Sequence, residues 1–471
     1  MENLDAALGV LNTVIWEYLL IYVLLGVGLY FTVRTRFLQI RRFGHLFRVM
    51  VGSREVAGGG ISPFQAFCVS MASRVGTGNI AGVAIALTLG GPGAVFWMWC
   101  VALVGMATAF VEATLAQLYK ERQPDGTFRG GPAYYIERGL GSRAWGIVFA
   151  VLLIFTFGLA FNAVQANTIA DVFTESFGLP APVTAVLLAV IAGPIFFGGI
   201  KSVARVAEWM LPVMALAYIA LALVIIVLHV DRVPEIFMLI IRSAFGMEQV
   251  AAGTFGGIAA AMLNGTKRGL FSNEAGMGSA PNMAATATTP HPASQGFIQA
   301  LGVFVDTIVI CSATAFIILL SDFYDHTKAM DVAGATLTQA AVSDQFGAAG
   351  SAFMTAVIFL FAFSSIIGNY AYADGNMTFL HARPNTFRVF RIIAVLAVVG
   401  GAIGKLPTVW ALADVAMGLM ALVNLGAILM LSKWALGVLA DYESVPYRGV
   451  APDFRAAGNR HLPGRFDTEV W

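Results

Sequence analysis

The chain has little charge. Only 12% of its 471 residues are Asp, Glu, Lys or Arg, about half of the roughly 25% usual in soluble domains, so a water-solvated globule of this size is excluded. Cysteine is scarce too. Cys68, Cys100 and Cys311 sit in apolar surroundings without Cys-x-x-Cys spacing, which argues against a disulfide framework or thiolate metal site; they read as small core hydrophobes. The six histidines lack metal-ligand spacing, barrel-like strand alternation is missing, and no nucleophile–base–metal set stands out, so no enzyme is expected. Gly76-Thr77-Gly78 followed by Gly82 has the wrong spacing for a dinucleotide fingerprint and no strand before it. With a formal net charge of +1, nothing favours nucleic acid as a partner.

What is present is apolar sequence in long blocks, with 58% hydrophobic residues and a mean hydropathy of +0.78. About 20 apolar residues make one bilayer crossing. Gly and Pro divide the blocks into eleven candidate spans near 11–33, 62–88, 93–117, 145–170, 182–200, 208–229, 252–289, 294–320, 348–380, 387–404 and 408–432. The fold class expected is an all-α polytopic membrane protein. Glu2 and Asp5 precede the first span, where a secretory signal would carry basic residues, so that span is read as a retained helix. The expected organisation is an N-terminal helix and basic loop over 1–61, a five-helix unit over 62–230, a second over 231–432 and a tail over 433–471. From Asp441 the tail is polar, basic and expected to be irregular.

Basic residues orient the chain. Arg34, Arg36, Arg41, Arg42, Arg48 and Arg54 follow the first span; Lys120, Arg122, Arg129, Arg138 and Arg143 follow the third. Lys201, Arg205, Arg383, Arg388, Arg391, Lys433, Arg448, Arg455, Arg460 and Arg465 fall on the same side. The opposite connections carry only Arg232, Arg242, Lys328 and Lys405. The asymmetry implies an N-terminus outside and a C-terminus in the cytoplasm of a multi-pass protein, inferred to sit in a bacterial inner membrane.

Two spans are interrupted by residues that weaken a helix where lipid offers no other hydrogen bonds. The second contains Gly76-Thr77-Gly78-Asn79, and the seventh contains residues 271–281, FSNEAGMGSAP, about 200 positions on. The fourth and ninth spans, and the sixth and eleventh, repeat that offset. Five helices is an odd number, so the two units must enter the membrane with opposite topology. Paired Gly-interrupted helices in inverted halves point to the midplane site of a secondary transporter. A break leaves free N–H groups at the start of one half-helix, suited to a carboxylate, and free carbonyls at the end of the other, suited to an ammonium or Na⁺. Gly76, Thr77 and Gly78 would supply amides, Asn79 a side-chain donor, and the region of Phe271 and Ser272 the carbonyls. Glycine packing between helices is the plain alternative.

Ser364 and Ser365 in the ninth span could complete an oxygen cage for a hard cation, or simply bond back to the carbonyl four residues earlier. Gln165, Asn162 and Asn167 are ligands or interhelical glue. Arg74, Glu112, Lys267, Arg268, Glu274 and Asp306 are ionisable at membrane depth, where pairing or a pathway role is the default. Arg74 and Glu274 flank the two breaks and suggest a pair; Asp306 or Glu112 could carry a coupled proton.

Residues 74–84 (RVGTGNIAGVA), 90–99 (GGPGAVFWMW), 112–119 (EATLAQLY), 130–135 (GGPAYY), 162–167 (NAVQAN) and 271–281 closely resemble the alanine/glycine:cation symporter family. The resemblance runs over nearly the whole chain. It implies a LeuT-type 5+5 inverted repeat preceded by one extra helix, and Na⁺-driven uptake of small neutral amino acids, chiefly alanine or glycine, with Na⁺ as coupling ion and no cofactor. By that analogy residues 76–79 and Gln165 hold substrate, and Phe161, Phe271, Met277 and Ser365 shape the pocket. The analogous sodium site takes carbonyls of Ala72, Val75 and Phe361 and hydroxyls of Ser364 and Ser365. The chain departs from many members at Ser364-Ser365, Gly368-Asn369-Tyr370 and Asp374-Gly375-Asn376, and the small side chain at Asn369 bears on the pocket's size limit.

Overall fold

The computed structural model describes residues 2–53, 61–124, 126–198, 200–247, 257–324, 334–447, 449, 451–466 and 468–471. Arg54, Lys328 and Arg448, used above to orient the chain, and residues 252–256 of the seventh predicted span lie outside them. In chain order the helices are α1 (Ala6–Arg34), the broken pair α2 (Pro63–Arg74) and α3 (Gly78–Gly90), α4 (Gly93–Leu118), α5 (Arg143–Phe177), α6 (Ala181–Gly198) and α7 (Val203–Leu228). The second broken pair, α8 (Gly257–Asn273) and α9 (Pro281–Ala284), is followed by α10 (Pro292–Leu319), α11 (Ala335–Phe379), α12 (Pro384–Ile403) and α13 (Pro407–Met430). Among the described residues nine of these helices are long and apolar enough to cross a bilayer. They follow nine of the expected spans in order, and the second and seventh spans are the two broken pairs. The one sheet among the described residues is a ribbon of two short strands, Glu121–Arg122 and Phe128–Arg129.

Local chemistry sets the element ends. Ser62 caps α2 through a reciprocal pair with Gln65, at 2.9 and 3.1 Å, and Pro63 takes the first helical position. Gly347, at φ 61°, kinks α11 near the expected start of the ninth span. α6, α7 and α12 turn Val186, Val190, Trp209, Leu216 and Leu396 outward, as lipid-facing helices must. α4 runs through the interior, where small residues let backbones approach: Gly265 of α8 lies against the Ala94 carbonyl, and Gly296 of α10 against Thr114 and Phe110. The segment before α2 and the segment after α9 meet where Thr288 N–H donates to the Ile61 carbonyl at 3.0 Å. Wide π-helical turns occur at Thr13–Leu20 in α1, at Gly78–Gly82 just after the first break, and at Thr156–Phe161 and Phe304–Cys311, and such turns are frequent at functional sites.

Candidate functional site

The first break begins where Val75, at φ −75° and ψ 81°, leaves the helix. Gly76 N–H donates to Asn79 Oδ1 at 3.0 Å, and Thr77 N–H donates to Gln165 Oε1 at 3.2 Å. In an unbroken helix these two groups would close onto the Ala72 and Ser73 carbonyls. The Ala72 carbonyl instead accepts from Ser364 Oγ at 3.2 Å and Ser365 Oγ at 3.1 Å, and both hydroxyls also lie on the Phe361 carbonyl, at 2.9 and 3.1 Å. Four buried oxygens thus share two protons, a cluster rich in lone pairs. Each serine reaches back along its own helix, Ser364 by three residues and Ser365 by four, and also across to α2. Gly76 makes the approach possible, because a Cβ there would stand 2.0 Å from Ser365 Oγ. Gly78 is similarly constrained, by Phe271 at 2.9 Å.

The second break is nailed down from outside. α8 continues through Phe271 and Ser272 to Asn273. The next N–H groups are diverted, Ala275 to Asn273 Oδ1 at 3.0 Å and Gly276 to Glu112 Oε2 at 2.9 Å. The carbonyls of Phe271 and Ser272 are therefore left without the N–H groups that would continue the helix. Glu274, Gly276 and Gly278 turn the chain at φ 56°, 92° and 84°. Asn424 of α13 donates to the Gly276 carbonyl at 2.9 Å and to Glu112 Oε1, and accepts from Tyr135.

Between the breaks lies a knot of polar groups. Asn79 Nδ2 is 3.0 Å from Ser272 Oγ and 3.0 Å from Asp306 Oδ2. Ser272 and Thr307 donate to Asp306 Oδ1 at 2.5 and 2.8 Å, and Cys311 Sγ is 3.1 Å from Ser272 Oγ. Asp306 is fully buried, and no basic side chain pairs with it among the described residues. To one side Phe161 stacks on Phe271 at 4.4 Å, and Phe271 tilts against Trp410 at 4.8 Å.

The two interrupted helices face each other as their composition led one to expect, and residues 1–456 match the sodium:alanine symporter family. The chain belongs to that family. It is 48% identical over 454 residues to the probable sodium/glutamine symporter GlnT of Bacillus subtilis, across 96% of this chain and 94% of that one. It is 38% identical over 428 residues to the sodium/alanine symporter AgcS of Methanococcus maripaludis, across 89% and 93%. The crystal structure of MhsT in complex with L-phenylalanine superposes with a TM-score of 0.54 at 15% identity, across 76% of this chain and 87% of that one, so the fold is that of LeuT-type transporters. The family comprises membrane transporters, not enzymes.

The structure also departs from expectation. Arg74 does not pair with Glu274: its Nη2 donates to Gln299 Oε1 at 2.9 Å, and Nη1 lies over Gly302 of α10. Glu274, at φ 56°, accepts from Ser73 at 3.2 Å and Ser279 at 2.5 Å. Asn369 joins α2 to α5, bonded to Ser73 at 2.5 Å and Asn162 at 3.1 Å, so its small size belongs to a helix junction. Met277 is buried in the second break between Gly276, which faces Leu425, and Gly278, which faces Asn424, Pro132 and Phe149. Asn167 holds the Gly401 and Gly404 carbonyls at 3.1 and 2.9 Å, the expected glue. The tail is helical over Ser432–Ser444 and, as expected, irregular in the described residues beyond, yet it is packed: Phe454 N–H donates to the Pro290 carbonyl at 3.0 Å and Trp471 Nε1 to the Gln117 carbonyl at 3.0 Å. Sequence reasoning missed Asp414, which takes both Lys267 (2.8 Å) and Arg268 (2.5 Å), and Trp410 beneath the Arg268 guanidinium at 4.8 Å. A lone Asp in the last span was the available signal.

Proposed function

We propose that this family member imports small neutral amino acids, alanine and glycine foremost, driven by Na⁺ and working by alternating access. The observation that carries the reading is the shared backbone of residues 72–77: its released carbonyl enters the Ala72–Phe361–Ser364–Ser365 oxygen cluster, and its N–H groups face two amide oxygens. Those oxygens, Asn79 Oδ1 and Gln165 Oε1, stand where the oxygens of a substrate carboxylate would sit. A carboxylate is the stronger acceptor, so substrate displaces Gln165 and takes the amides of Gly76, Thr77 and Gly78. The freed ends at Phe271 and Ser272 then receive the ammonium, and Phe161 and Phe271, stacked at 4.4 Å, bound the side chain.

Na⁺ takes the Ala72, Val75 and Phe361 carbonyls and both serine hydroxyls, turning their protons outward. It thereby fixes Ser365 against Gly76 and the amide segment beside it; that contact is the coupling. The N-terminus lies outside, the units 62–230 and 231–432 are the inverted repeats, and rocking of one bundle past the other exposes the site to each side in turn. A larger substrate is the second reading, favoured by the 48% identity to a relative named for glutamine. The test is radiolabelled alanine uptake into proteoliposomes under an inward Na⁺ gradient, an inward H⁺ gradient, or neither, with competition by glycine and glutamine. Accumulation on Na⁺ alone, blocked by glycine, is expected. Accumulation on H⁺ alone would overturn Na⁺ coupling, and block by glutamine alone would overturn the substrate size.

A further inference from the structure

Away from the central site, α1 ends in an unusual turn. Arg36 and Phe37 both adopt left-handed backbone, at φ 57° and 56°, a conformation that non-glycine residues rarely take because it strains the Cβ against the backbone. The turn closes through Phe37 N–H to the Thr32 carbonyl at 2.7 Å and leads into the short helices Leu38–Arg41 and Phe43–Val51. It presents a cavity of about 750 Å³ against the helix Ser432–Ser444, lined by Arg34, Arg36, Arg41 and Arg42 together with Leu436 and Leu439. The cavity's one carboxylate, Glu443, is already shared by Arg41 at 2.8 Å and Arg42 at 3.0 Å. Four guanidiniums thus face one carboxylate, and Arg36 forms no ion pair among the described residues. Beside this charge stand Val33, Phe37 and Ile40, 54%, 49% and 68% exposed. Water would meet such side chains unfavourably, whereas the acyl region of a bilayer next to its headgroups suits both halves of the surface.

We propose that this cavity binds the phosphodiester headgroup of an anionic phospholipid. Arg36 and Arg42 grip the phosphate, since a guanidinium fork matches phosphate oxygens in geometry as well as charge, and the acyl chains run along Phe37 and Ile40. Because the cavity is walled by the end of α1 on one side and the helix after α13 on the other, a bound lipid braces two elements far apart in the chain. The expected class is a phosphatidylglycerol-type or cardiolipin-type headgroup, as opposed to a zwitterionic one.

The test is lipid retention by native mass spectrometry of the full-length protein, purified in detergent and offered equal phosphatidylglycerol and phosphatidylcholine, with inorganic phosphate as competitor in a separate arm. The protein is expected to retain phosphatidylglycerol preferentially. Arg36→Gln and Arg42→Gln should each lower that retention about fivefold, while Arg388→Gln, an exposed arginine at the start of α12, should leave it unchanged. Equal retention of the two lipids, equal retention by the wild type and the Arg36→Gln protein, or an equal loss in Arg388→Gln would each overturn the proposal. Displacement of the lipid by millimolar phosphate would overturn it in favour of a free anion. Each variant's thermal midpoint without lipid is read alongside, so that a folding defect is recognised as such.

Discussion

The two breaks in the bundle are satisfied in opposite ways. At residues 76–79 the freed N–H groups rest on neutral amide oxygens, one within the break and one from Gln165 of α5. At residues 274–280 Ala275 N–H also rests on an amide oxygen, that of Asn273, but Gly276 N–H is held by a carboxylate, Glu112 of α4, itself held by Asn424, which Tyr135 supports. Neutral acceptors give way to a stronger anion; a buried carboxylate backed by Asn424 and Tyr135 does not. The comparison suggests a division of labour, with the first break as the segment that exchanges partners and the second as the fixed point against which it does so.

The sharpest way to break that comparison is a matched pair of glycine variants. Gly76→Ala drives a methyl into Ser365 Oγ, and an overpacking cost of about 3 kcal/mol should lower alanine uptake by about a hundredfold or more, with expression retained. Gly278→Ala imposes a side chain at φ 84° and within 2.8 Å of Asn424 and Pro132, and should instead remove the folded protein from the membrane fraction. If both variants express and both transport poorly, the two breaks do the same work. Next in size is Ser364→Ala/Ser365→Ala. Losing hydroxyls from a charged site costs about 1.5–3 kcal/mol each, so half-activating Na⁺ should rise at least about tenfold; unaltered Na⁺ activation would remove the cation from this cluster. Glu112→Gln should lower the thermal midpoint, by the equivalent of about 1–3 kcal/mol, and leave half-activating Na⁺ unchanged. A shifted Na⁺ dependence there would make the second break part of the ion machinery.

What was legible in the sequence was whatever a break announces by composition. Gly76, Gly78 and Asn79 together, and the Gly-rich run after Ser272, mark unwound helix because Gly clustered with Asn and Ser weakens a helix where lipid offers no other hydrogen bonds, which packing glycines alone do not explain. Ser364 and Ser365 were legible as oxygens for the same reason. Partners across helices were not. A helical pattern fixes which face a residue shares along its own helix, not which neighbour that face meets, so Arg74 was matched to Glu274 by offset when its side chain runs to Gln299 on α10. Asn369 likewise looked like a pocket wall and proved to be a joint between helices. Lys267 and Arg268 were seen, but their shared partner Asp414 sits in a different helix about 146 residues away.

The smallest expected effect concerns the periphery of the bundle. His45 lies in the helix Phe43–Val51 with Nε2 3.0 Å from the Tyr442 hydroxyl. Burial, aided by Arg42 and Arg48, lowers its pKa from 6.5 to about 4. The folded protein therefore keeps His45 neutral while the unfolded chain protonates below pH 6.5, so its contribution to stability is complete above pH 6.5 and is lost as pH falls toward 4. The thermal midpoint in detergent should drop between pH 7.5 and pH 5, and His45→Gln should flatten part of that drop. An unchanged slope would leave the imidazole out of the balance.

Cys311 sits inside the knot of Asn79, Ser272 and Asp306, 3.4 Å from Asn79 Nδ2 and almost fully buried. Opening the site to either side must uncover a sulfur that closure hides. The protein thus carries a native chemical clock: the rate at which a small maleimide marks this thiol counts how often the gate stands ajar, with half-buried Cys100 as the steady background tick. Sodium and substrate together should slow the count, and a gate propped open should quicken it, with no residue added to the chain.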